Sequence, residues 1–73
     1  MVHLRIVAPR ESADQALVLL EASESVSSVI VLQGAARKPE GDVSLCEVAR
    51  EDASVIIDDL KELKIPETGS IAL

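Results

Sequence analysis

At 73 residues the chain has room for one domain over residues 1–73 and one core; a chain of this size buries only about 60% of its unfolded surface. It holds no Phe, Tyr or Trp and carries a net charge of −6, which excludes the basic stripes and stacking platforms of nucleic-acid binders and argues against docking on an anionic membrane. One cysteine, Cys46, and one histidine, His3, exclude an internal disulfide and a structural zinc set.

In chain order, Val2, Leu4, Ile6 and Ala8 alternate with His3, Arg5 and Val7, the period of a strand. Pro9 ends it. Ser12 with Gln15 three residues on reads as a capping box, and Ala13, Ala16, Leu17 and Leu20 then share one helical face, widened by Val18 and Leu19. Ser23 to Ser25 are poor helix formers and should end this helix. Val26 to Gln33 is a second strand, apolar on both faces at Val29-Ile30-Val31-Leu32. Gly34 to Asp42 collects turn formers and charge and reads as the one long loop. Val43 to Ala49 is a third strand. Glu51 and Asp52 suit the positive end of a second helix, whose stripe is Ala53, Ile56, Ile57, Leu60 and Leu63. Pro66 and Gly69 break the chain before a last strand, Ser70 to Leu73.

Strand–helix–strand is thus stated twice. The expected fold class is α+β: a ferredoxin-like βαββαβ sandwich, a four-stranded antiparallel sheet in order 4-1-3-2 with two helices on one face. The helices leave the other face uncovered. With Leu45 placed toward the core, that free face shows Cys46 and Val48 beside Val7, and strand two adds Val29 and Val31. A face this apolar suggests contact with another copy, because chains this small usually need a staple such as oligomerisation.

Chemistry is sparse. Gly34, Arg37, Lys38, Gly41 and Asp42 form the best candidate ligand loop, with backbone freedom and two cations for a small anion, although Gly and Asp also serve ordinary turns. The Pro9-Arg10-Glu11-Ser12 turn precedes a helix N-terminus, a natural anion seat. Acylphosphatase-type enzymes resemble that plan, but this turn has no glycine and the chain no asparagine. Metallochaperones of this plan carry a Cys-x-x-Cys pair and RNA-binding versions carry sheet-face aromatics; both are missing here. The adjacent carboxylates Glu51-Asp52 and Asp58-Asp59 do not face one site. No catalytic residue, metal ligand or cofactor-binding residue is expected, and the chain reads as a non-enzyme. It has no run of 18 apolar residues and no signal-peptide layout at its start.

The start Val2-His3-Leu4-Arg5-Ile6-Val7-Ala8-Pro9, the stretch Val31 to Ala36, the run Gly41 to Glu51 and the ending Gly69-Ser70-Ile71-Ala72-Leu73 together resemble one family. It is the N-terminal soluble part of the bacterial membrane proteins catalogued as domain of unknown function 389. The resemblance covers nearly the whole chain through strand, loop and cap residues. It implies that a domain like this precedes several membrane-spanning segments, so the chain is expected to continue past Leu73 as the cytoplasmic part of a longer protein. The family supplies no activity and no catalytic residue. The expected function is an accessory or regulatory domain that self-associates through its sheet, with the membrane segments of its own chain as the other partner. The alternative is a small-ligand-binding module similar to ACT domains, which share the βαββαβ plan.

Overall fold

The computed structural model describes residues 1–73. Strand β1 (Val2–Ala8) leads through Pro9 into helix α1 (Arg10–Ala22), followed by β2 (Val26–Arg37) and β3 (Glu40–Val48). A single 3-10 turn (Arg50–Asp52) opens α2 (Ala53–Glu62); a one-turn helix α3 (Ile65–Thr68) and strand β4 (Ser70–Ala72) follow. The fold is α+β with a four-stranded antiparallel open sheet in order β2-β3-β1-β4. Counted from the β4 edge, that order reads 4-1-3-2. Each long helix carries the chain across one intervening strand.

The core is aliphatic and lies between the helices and one sheet face. Leu4, Ile6 and Ala8 of β1 and Cys46 and Val48 of β3 form one cluster with Ala13, Ala16 and Leu20 of α1 and Ala53, Ile56 and Leu60 of α2. Both long helices therefore cover the same face. The helical stripes read from the sequence supply these residues, while Val18, used to widen the first stripe, is 69% exposed.

Four expectations need correction. Helix α1 starts at Arg10, two residues before Ser12, with Pro9 as its N-cap and no side-chain capping bond. Proline fixes φ and lacks an N–H for the strand ladder, so Pro9 ends β1 and the helix starts directly after it rather than at Ser12. The Gly34–Asp42 loop is instead the end of a hairpin: β2 and β3 keep pairing through Ala36↔Gly41 and Arg37↔Glu40, and only Lys38 and Pro39 form the turn. Its turn-forming residues serve an irregularity within the pairing, where Gly34 adopts φ 65° between the Leu32 and Ala36 pairs. Third, Ile65 begins α3 and is fully buried. Lys64, at φ 61°, turns the chain after α2, donating its N–H to the Lys61 carbonyl at 2.9 Å, and so delivers Ile65 into the core.

The fourth correction concerns which face is free. Cys46 and Val48 pair with Leu4 and Val2 and are buried beneath the helices. Leu45, expected inside, faces out. Val29 packs against the core and Val31 pairs with the buried Ser44, so both are on the helix side. The hydropathy of β3 misled because its core face carries small or polar residues (Asp42, Ser44, Cys46), whereas Val43 and Leu45 point outward. In β2 a bulge at Ser28, φ 54°, inserts one residue between the Ser27 and Ile30 pairs. The inserted residue reverses the alternation, as a register slip does, and turns Ile30 and Leu32 to the free face.

Ile65→Ala should destabilise the chain by about 2–5 kcal/mol, as removal of a fully buried Ile side chain does. Ile57→Ala, at a half-buried position on α2, should cost less. Urea midpoints of the two variants give the comparison.

Candidate functional site

Two places on the surface combine charge, shape and unusual burial: the junction around Asp42 and the free face of the sheet.

Asp42 ends the pairing of β3 with β1, opposite Ala8, and is 3% exposed. Its Oδ2 accepts a hydrogen bond from Nε of Arg10 at 2.7 Å, and its Oδ1 accepts one from the backbone N–H of Gly34, also at 2.7 Å. One carboxylate thus joins β3, the first residue of α1 and the irregular turn of β2. The Arg10 hydrogen bond and then the Gly34 amide hold the carboxyl below the usual range, against the upward pull of desolvation; the guanidinium is held above its own. Gly41 allows β3 to approach the β1–α1 turn, because a Cβ there would collide with the Ala8 carbonyl.

This geometry redistributes the candidate ligand loop. Gly34 and Asp42 are brought together, but bound to each other. Gly41 is a packing glycine. Arg37 and Lys38 lie at the exposed hairpin tip and form no ion pair. The anion seat at Pro9–Ser12 is likewise engaged, since Arg10 is committed to Asp42 and Glu40 adds another carboxylate to the adjoining groove. Sequence reasoning considered Arg10 and Asp42 separately; nothing in their spacing of 32 positions joins them.

On the free face, register aligns His3, Arg5 and Val7 of β1 with Glu47, Leu45 and Val43 of β3, and β2 adds Ile30 and Leu32. Ile30 and Leu32 are 52% and 46% exposed. A shallow groove of about 430 Å³ runs between His3, Arg5, Ile30, Leu45, Glu47 and Ala72. Of the interface candidates read from the sequence only Val7 lies on this face, and its neighbours bury it to 8%. His3 Nε2 stands 3.9 Å from Glu47 Oε1, a loose contact of an exposed ring. Cys46 is buried and its thiol is pushed up by desolvation, which keeps it protonated and unreactive. No group of three or more His, Cys, Asp or Glu side chains converges as a metal site would require. No helix is long and apolar enough to cross a membrane.

No family model matches the chain, and no curated protein or solved structure matches it either.

Because folding lowers the pKa of Asp42, its ionised form stabilises the fold above the unfolded value of about 3.9. That contribution is lost as pH falls through the lower, folded value. Asp42→Asn should therefore lower Tm at pH 7, with the gap to wild type narrowing below about pH 4. Thermal melts of both proteins from neutral to acid pH check this; a constant gap would show that the Asp42 charge contributes nothing.

Proposed function

We propose that this chain is a non-enzymatic accessory domain, ferredoxin-like in fold, of a multi-pass membrane protein, and that it self-associates through the free face of its sheet on the cytoplasmic side. The observation that carries the reading is the exposure of Ile30 and Leu32 beside Leu45 on a face no helix covers. An antiparallel sheet with one wet face normally alternates apolar inside with polar outside, and β2 breaks that rule. The bulge at Ser28 makes the exposure a product of the backbone rather than a stray side chain. The resemblance to the family of unknown function 389 supports the membrane context and the cytoplasmic placement. A coding sequence that continues past Leu73 into a run of ~20 apolar residues is the corresponding genetic expectation.

Ile30→Glu places a charge in the middle of the face without touching the core. Sedimentation equilibrium should show wild type associating with rising concentration and the variant remaining monomeric, with unchanged circular dichroism. Equal behaviour of the two would remove the face from consideration.

The ACT-like alternative draws on a groove of about 380 Å³ beside the β1–α1 turn, where Pro9, Arg10 and Asp42 meet. Its one cation is already bound to Asp42, which leaves an amino-acid carboxylate without a free partner there. A ligand present at 100 times its Kd stabilises by about 2.7 kcal/mol. A thermal-shift screen against the standard amino acids is expected to leave Tm unchanged.

A further inference from the structure

The free face differs from the rest of the molecule in charge as well as polarity. Between Ser27 of β2 and Ser70 of β4, the residues that register places on it include one permanent cation, Arg5, and one anion, Glu47. They cancel, so the net −6 of the chain lies on its other surfaces. Two copies repel through those surfaces and meet without net repulsion through this one. Arg5 is exposed and forms no ion pair within its own chain.

Arg5 pairs with Leu45, and Glu47 pairs with His3. Arg5 and Glu47 are therefore diagonal neighbours on adjacent strands, roughly 7–8 Å apart at Cα. In a two-fold, face-to-face pair the axis lies in the interface, and each residue meets the one reflected across it. We propose, resting on the self-association reading, that two copies of this chain pack face to face about an axis that bisects the Arg5–Glu47 diagonal, so that Arg5 of each copy meets Glu47 of the other.

The apolar residues fit this axis independently. With strands ~4.8 Å apart and a rise of ~3.4 Å per residue, the bisector runs over Leu45 on β3 and onward over Ile30 on β2. Each then meets its own counterpart, giving an apolar centre flanked by two ion pairs. The strands of the two sheets cross at roughly 70°, nearer the orthogonal than the aligned class of sheet packing. Four strands of this spacing and length offer a contact of ~400 Å² per copy, about half the ~800 Å² per partner of a standard stable interface. The isolated chain is thus a weak dimer, and the contact becomes strong where copies are tethered, at effective concentrations in the millimolar range.

A charge-exchange experiment on the 73-residue chain tests the pairing. Arg5→Glu and Glu47→Arg each set like charges across both contacts, and each should weaken association by about tenfold or more. Mixed in equal amounts, the two variants place opposite charges across both contacts of a heterodimer. The mixture should associate as wild type does, which a contact within one chain cannot produce. Sedimentation equilibrium at low salt reads all four samples, with Ile30→Glu as the control for the face. If wild type associates and Ile30→Glu does not, but the charge variants behave as wild type or their mixture stays monomeric, this axis is wrong and the self-association reading stands. If wild type remains monomeric at millimolar concentration, both fall.

Discussion

Helix α1 and strands β2 and β3, already joined by pairing and core packing, also converge on one carboxylate. Asp42 is buried at the end of β3, and its two oxygens are taken by the Arg10 guanidinium at the start of α1 and by the Gly34 amide in β2. A buried carboxylate is tolerated only when paired and hydrogen-bonded, so the bridge constrains its partners strongly. It sets where α1 departs from β1 and where the long β2–β3 hairpin leaves the sheet. Gly41 and Gly69 complete the arrangement from either side of β1, since a Cβ at either would strike the backbone carbonyl of Ala8 or Val7. Gly34, Gly41 and Asp42 of the candidate ligand loop thus form, with Arg10, the joint between α1 and the sheet.

The legible parts of the fold are those where one physical signal acts alone. Strand β1 alternates cleanly and α2 carries a clean stripe, and the structure buries Leu4, Ile6, Ile56 and Leu60 as those patterns require. The misreadings fall where two signals compete. In β3 the core face holds Asp42, Ser44 and Cys46, while the free face holds Val43 and Leu45. Hydropathy alone inverts such a strand, because Asp42 is satisfied by a partner 32 positions away. In the hairpin, Gly34, Pro39 and Gly41 are local turn signals that pairing with the neighbouring strand overrides. Ile65 was hidden by Pro66, which ends helices but also begins them.

These inversions affect the candidate site as a unit. Exchanging the faces of β3 removes Cys46 and Val48 from the surface and brings Leu45 and Glu47 to it. The Ser28 bulge does the same to β2, moving Val29 and Val31 inward and Ile30 and Leu32 outward. An apolar free face was legible because the centre of β2 is apolar on both sides. Its members were not, because alternation within one strand states parity but not which parity faces the helices.

The bulge has a further consequence for how a core this small is completed. Without it, the alternation that puts Val26 inside would leave Ile30 inside and Val29 and Val31 out. With it, β2 supplies Val26 and Val29 against the helix-side cluster and keeps larger side chains for the other face. The cost is a serine in the left-handed region, a conformation that disfavours any residue with a Cβ. The helix-side core thus forgoes two larger aliphatics, and the sheet carries them on a face that an open antiparallel sheet normally keeps polar. Ile30 and Leu32 contribute burial energy only to the extent that this face is covered. A second copy, meeting this face where Arg5 and Glu47 cancel in charge, is the cover we propose for Ile30 and Leu32.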